Sequence, residues 1–111
     1  MEKKLDILQG TLDLMVLQVL ASVGAQHGYS IAARLEQIAD QTIQINMGTL
    51  YPALVRLEQR GFVRANWNTT ENNRRARFYE LTPRGRKHME TERNTWLQTA
   101  ALMSKILELE S

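Results

Sequence analysis

The 111 residues, 43% of them hydrophobic, hold material for one compact domain and leave no room for a multidomain enzyme, since domains commonly run to roughly 100–150 residues. The lack of cysteine excludes disulfide scaffolds, thiolate zinc sites, iron–sulfur clusters and cysteine nucleophiles, and fits a reducing compartment, with the cytoplasm as the expected location. The formal net charge of +2 conceals a segregation: residues 56–88 carry nine cations against three anions, a net +6, and the remainder sums to −4.

Lys3 and Lys4 followed by the apolar run from Leu14 to Leu20 imitate a secretory signal. Asp6, Asp13 and Gln18 interrupt the run at helical spacing, and no apolar stretch approaches the roughly 18 residues of a membrane span, so the segment reads as an amphipathic helix. Thr11 is its candidate N-cap. Leu12, Met15, Val19 and Val23 form one stripe and Leu14, Leu17 and Leu20 a second, which predicts burial on more than one side, with Gly24 as the stop. After His27 and Gly28, the spacing of Ile31, Leu35 and Ile38 predicts a second helix ending near Asp40. Residues 42–46 alternate Thr, Ile, Gln, Ile, Asn, the pattern of a very short strand, before a third helix beginning around Gly48 or Thr49.

That third helix buries Leu50, Ala53, Leu54 and Leu57 and stops at Gly61. Pro52 restricts its start, because proline is tolerated in a first turn but costs about 3 kcal/mol deep in a helix. The opposite stripe carries Gly48, Pro52, Val55 and Gln59, flanked by Thr49, Tyr51 and Arg56. A purely water-facing surface would favour long charged side chains; small and flat ones permit close approach to another surface.

Val63, Ala65 and Trp67 alternate with Arg64 and Asn66, and Tyr79 and Leu81 alternate with Phe78 and Glu80, which predicts a hairpin with Trp67 packed in its strand. Its connection, NTTENNRR from Asn68 to Arg75, is wholly polar, with cations at its far end. Charge alone leaves two readings open, an electropositive surface for a polyanion and an ordinary solvated face. Thr82 and Pro83 open a last helix running to about Glu110, roughly 42 Å. In it Met89, Arg93, Trp96, Ala100, Met103 and Leu107 follow alternating steps of four and three, the seam of a coiled-coil-like contact, while Leu102, Ile106 and Leu109 widen the apolar face. A projecting apolar helix needs a partner, which predicts a homodimer; a helix folded back on its own domain is the other reading.

Three helices, a polar-tipped hairpin and a long helix make a mainly α (α+β) chain: a winged helix-turn-helix with a two-stranded wing and a long C-terminal dimerisation helix. At MGTLYPALVRLEQRGFV (Met47 to Val63) and RRARFYELTPRG (Arg74 to Gly85) the sequence strongly resembles PadR-like transcriptional regulators, in particular the short members with a single C-terminal helix, and the resemblance covers nearly the whole chain. It implies a DNA-binding part over residues 1–82 and a dimerisation helix over 83–111, acting as a dimeric repressor on double-stranded DNA with an inverted-repeat operator. Carried onto this chain, the DNA face comprises Gly48, Thr49, Tyr51, Pro52 and Arg56 with Arg74, Arg75 and Arg77 of the wing, and Tyr29 adds a further phosphate contact. Arg56 suits a guanine edge or a phosphate equally. Wings in this family often carry glycine before the arginine pair; here Glu71, Asn72 and Asn73 stand there.

The resemblance also implies that some members take a flat, apolar small-molecule effector between paired C-terminal helices, which places Trp96 between two roles, effector contact and packing across the dimer. Two readings from other classes stay open: a winged-helix protein-interaction module, and a small-molecule sensor or carrier without its own operator. His27 and His88, with Glu92 one turn after His88, do not make a metal site, and no nucleophile constellation, phosphate loop or carboxylate pair stands out, so no catalysis, cofactor, metal or membrane association is expected.

Overall fold

The computed structural model describes residues 10–109, so Lys3, Lys4, Asp6 and Glu110 lie outside the described residues. The order is α1 (Thr11–Val23), β1 (Gln26–His27), α2 (Gly28–Ile38), α3 (Met47–Gln59), β2 (Val63–Thr69), β3 (Arg75–Leu81) and α4 (Pro83–Leu107). Leu12, Val16, Leu17, Val19 and Leu20 of α1 are buried, and so are Ile31, Ala32 and Leu35 of α2 and Leu50, Ala53, Leu54 and Leu57 of α3. Phe62, Val63, Tyr79 and Met89 close the same core. Ile38, given to the core stripe by its spacing, is 65% exposed because it faces an open groove rather than the core.

Each helix start is capped according to its local chemistry. Gly10, not Thr11, holds the cap position of α1, without a side-chain hydrogen bond. At α2 the His27 imidazole accepts from the Ser30 backbone N–H, and the Ser30 hydroxyl donates to the His27 carbonyl at 2.8 Å. At α3 the Asn46 side chain accepts from the Thr49 N–H at 2.9 Å, which starts that helix at Met47, a residue before the expected Gly48. Pro52 consequently lies beyond the first turn and withholds the helical donor from the Gly48 carbonyl on the exposed stripe.

Residues 42–46 form no strand. Ile43 and Ile45 are buried in an extended connection, and the Ile45 N–H donates to a Glu36 carboxylate oxygen at 2.8 Å instead of to a strand neighbour. The period-two pattern there records burial on one side without sheet pairing. A third strand comes from β1, which pairs antiparallel with β3, so the sheet is three-stranded in the order β1-β3-β2 rather than two-stranded. The added pair is short, Gln26 with Tyr79 and His27 with Phe78, and a T-shaped ring contact between His27 and Phe78 at 5.2 Å reinforces it.

At the wing tip the Thr70 N–H donates to the Arg74 carbonyl at 2.7 Å and the Asn73 N–H to the Thr70 carbonyl at 2.9 Å. The turn needs a left-handed residue, and Asn73 supplies it at φ 60°. Asparagine tolerates that conformation better than most residues, which is how the tip closes without the glycine common in this kind of wing.

The C-terminus of α3 and the start of α4 share one anchor. Gly61, at φ 79°, and Phe62 donate to the Glu58 and Leu57 carbonyls, the two bonds of a Schellman cap. The Thr82 N–H then donates to the Phe62 carbonyl at 3.1 Å, its hydroxyl donates to the Gly61 carbonyl at 2.6 Å and accepts from the Gly85 N–H at 3.0 Å. Gly85 packs so closely that a Cβ there would overlap the Phe62 carbonyl oxygen and come within 2.8 Å of its carbon. From this root α4 runs 25 residues, roughly 37 Å, to Leu107, somewhat short of the expected length. Gly85→Ala is therefore expected to cost about 3 kcal/mol, the upper range for overpacking, and to lower the thermal unfolding midpoint by about 10 °C or more as followed by circular dichroism.

Candidate nucleic-acid interface

Two surfaces meet beside α3. Gly48, Thr49, Tyr51, Pro52 and Arg56 all lie exposed on its outer side, while Leu50, Ala53, Leu54 and Leu57 occupy the buried side. The helix thus presents a face of small, flat and hydroxyl-bearing residues whose position is set by an apolar face it cannot release. Tyr29, in the first turn of α2, is 73% exposed, its hydroxyl unencumbered by burial.

The wing stands beside α3. Its register pairs Ala65 with Tyr79, Trp67 with Arg77 and Thr69 with Arg75, so Tyr79, Arg77 and Arg75 project from one face of β3 in order from core to tip. Arg74 and Arg75 are exposed at the tip and have no carboxylate partner among the described residues. Arg77 is placed differently: its guanidinium donates to the Glu58 carboxylate of α3 at 2.8 Å, tying the wing base to the helix, and its Nε is buried without a partner. Arg56 pairs with Asp13 in the first turn of α1 at 3.1 Å, and Arg64 with Glu80 across the hairpin at 2.9 Å. Such exposed pairs are worth about 0–1 kcal/mol, so the Arg56 contact is easily exchanged for a stronger anion.

Beneath this face lies Tyr79, 3% exposed. Burial pushes its phenol above the ordinary value near 10; the Arg77 guanidinium opposes the rise, and Tyr51 and Glu58 add to it.

Several sequence expectations change. Trp67 is not packed in its strand but 59% exposed, with the Arg75 and Arg77 guanidiniums over its ring. Leu81, on the strand that carries Tyr79, is partly buried against the core. Met89, the first residue of the expected seam, is 4% exposed and belongs to the domain's own core. Arg93 and Trp96 instead border an open apolar groove of about 690 Å³ between α1, α2 and α4, with Leu14, Met15 and Ile38 among its walls. Farther out Ala100 is half-buried, while Leu97, Leu102, Met103, Ile106, Leu107 and Leu109 are exposed. His88 stacks flat on Phe62 at 4.1 Å and stands 3.8 Å from Glu92. No helix among the described residues is long and apolar enough to cross a membrane.

Comparison with known proteins places this arrangement. The family model described as the transcriptional regulator PadR-like family matches residues 16–91, which include α2, α3, the wing and the root of α4. The chain belongs to the PadR-like family of transcriptional regulators. No protein among those with curated functions matches it. Among solved structures, a transcriptional regulator from Clostridium thermocellum is 28% identical with a TM-score of 0.81, over 90% of this chain and 93% of that one. A PadR family regulator from Eggerthella lenta is 26% identical with a TM-score of 0.69, over 90% of both chains. A PadR-like regulator from Bacillus cereus, 18% identical over 92% of this chain and 96% of that one, shares the fold with a TM-score of 0.78. The family is one of transcriptional regulators, not of enzymes, and the PadR-like fold here is the winged helix, with β1 as its third strand.

The buried phenol has a consequence for stability. A phenol that resists ionisation when folded, and ionises freely when unfolded, adds stability that is present below pH 10 and lost as pH rises beyond it. Urea unfolding of the PadR-like chain between about pH 9 and 11 should show a decline of at most about 1.4 kcal/mol per pH unit from this group, and Tyr79→Phe should flatten it.

Proposed function

We propose that the protein is a sequence-specific DNA-binding transcriptional repressor that acts as a homodimer on an inverted-repeat operator and responds to a small-molecule effector. In this reading residues 1–82 serve as the reading head and 83–111 as the pairing segment, whose first two turns are anchored on the domain through Met89. The observation that carries this reading is the exposed stripe of α3, Gly48 through Arg56, standing beside a wing whose tip cations Arg74 and Arg75 have no carboxylate partner among the described residues. A helix of that kind fits the major groove, and the wing then reaches the flanking backbone. The Thr49, Tyr51 and Tyr29 hydroxyls suit phosphate oxygens, Arg56 a phosphate or a guanine edge, and Arg77 supports the wing through Glu58 while adding positive charge. Family membership supports DNA as the partner over a protein or a carried metabolite.

Pairing is supported by the outer half of α4, where Leu97, Leu102, Met103, Ile106 and Leu107 are together exposed, an apolar surface that water does not tolerate on a stable monomer. Twofold symmetry in the protein would be mirrored in the operator. The groove beside Trp96 supports effector binding: it is apolar, aromatic on one side, and of a size that holds a small flat molecule.

Selection of bound fragments from random duplexes tests the whole reading, and the expected product is an inverted repeat with half-sites about one helical turn apart. Enrichment of no sequence would overturn it. Arg74→Ala with Arg75→Ala should weaken binding across sequences and reduce the salt slope by about one per lost phosphate contact, measured by gel shift at several salt concentrations; an unchanged slope rejects the wing assignment. Leu102→Asp with Ile106→Asp should give monomers in sedimentation equilibrium and lower operator affinity by about a hundredfold, the avidity lost when two heads no longer bind together.

A further inference from the structure

Trp67 sits where the hairpin has outrun the core. Ala65, opposite Tyr79, still packs against the core, whereas Trp67, opposite the half-buried Arg77, does not, and its indole is 59% exposed. An indole in water forfeits the burial that ordinarily places tryptophan in a strand. Two guanidiniums lie over its ring, Arg75 at 5.5 Å and Arg77 at 6.0 Å from the centroid.

The two arginines differ in what else holds them. Arg77 is already tied to Glu58 at 2.8 Å. Arg75, one step outward on the same face of β3, has no carboxylate partner among the described residues, so the aromatic face is what restricts its rotamers. A long side chain loses rotamer freedom when it grips an anion, and one already stacked loses less. A guanidinium carries its N–H groups in its own plane, so one that lies over an aromatic face keeps its edge open to phosphate oxygens.

We propose that Trp67 is a positioning residue of the wing, its ring holding the Arg75 guanidinium ready for a backbone phosphate of duplex DNA. The inference rests on the DNA-binding reading above and deepens it: the wing grips through a preordered aromatic–arginine pair, not through a loose cationic tip.

Anisotropy titrations of wild type, Trp67→Ala, Trp67→Phe, Arg75→Ala and the Trp67→Ala/Arg75→Ala double variant test it. The probe is a labelled mixed-sequence duplex of about 30 base pairs, long enough for two half-sites, and thermal unfolding of each variant is followed alongside. Trp67→Ala should weaken binding about two- to fivefold, and Trp67→Phe, which keeps an aromatic face, should recover most of that. In the Arg75→Ala background the tryptophan change should have no further effect. Binding by Trp67→Ala equal to wild type overturns the proposal, as does an equal loss in both backgrounds, which would mean that the indole touches DNA itself. In a Trp96→Phe chain Trp67 is the one remaining indole, and Arg75→Ala should shift its emission; unchanged emission overturns the stacking. Failure of the wild type to bind the duplex even at low salt would remove the DNA-binding reading as well, a result distinct from a wild type that binds and a tryptophan variant that binds equally.

Discussion

The backbone at Phe62 holds the molecule's working parts in one frame. Its N–H closes the C-terminus of α3, and its carbonyl receives the Thr82 N–H at the entry to α4. Gly85 brings the first turn of α4 down onto that carbonyl, a contact no side chain would allow. The exposed stripe of α3, the hairpin that leaves at Val63 and returns at Leu81, and the long helix therefore diverge from a single polar junction. Phe62 and Val63 are buried while Gly61 is exposed and Thr82 half-buried, so it is the close packing of Gly85 on the Phe62 carbonyl, not exclusion of water, that makes this geometry costly to distort. Phe62 adds a cover of its own, with His88 stacked on its ring and the Arg60 and Arg84 guanidiniums over it at 4.7 and 5.6 Å.

The cationic segment is less uniform than its net +6 suggests. Arg56, Arg64 and Arg77 are each joined to a carboxylate on another element or strand, and these pairs orient α3 against α1 and the wing against α3. Arg60 and Arg84 lie over Phe62 at the C-terminal end of α3, the end away from Gly48. That leaves Arg74 and Arg75 at the wing tip and Arg86 and Lys87 near the start of α4 without a carboxylate partner among the described residues, and of these only the wing pair is restricted, Arg74 by the turn and Arg75 by the Trp67 ring. Long-range attraction of a polyanion draws on all nine charges, whereas grip at close range depends on which guanidiniums can change partners cheaply.

Much of this was legible in the sequence, for identifiable reasons. The four helices follow from apolar spacing, and the exposed stripe of α3 from the gap in that spacing at Gly48 and Pro52. The motif pair from Met47 to Val63 and from Arg74 to Gly85 disclosed the family. What escaped depended on distance along the chain. Alternation alone cannot say where packing ends along a strand, so it assigns Trp67 to packing in its strand; the register that sets it opposite Arg77 depends on how Asn73 closes the tip. The third strand is only Gln26 and His27, too short to carry a period. The isoleucines at 43 and 45 carry one without being a strand. Asp13 with Arg56, and Glu58 with Arg77, join residues 43 and 19 positions apart, and nothing local marks such partners.

Met89 corrects the seam in a way that bears on how the long helix works. With that side chain in the core, the first two turns of α4 are part of the domain, and the outward apolar face begins only near Trp96. α1 lies against α4 over that stretch and helps wall the groove that Trp96 borders, while Asp13 in its first turn holds Arg56 of α3. One helix thus touches both the groove and the stripe. Under the proposed function, a molecule entering beside Trp96 could alter the reading face only by favouring a different seating of α1, since ligand binding shifts a balance only through contacts that differ between two arrangements. A rigid α1 would confine the groove's influence to the spacing of the paired helices, and so to the separation of the two reading heads rather than to the chemistry of either.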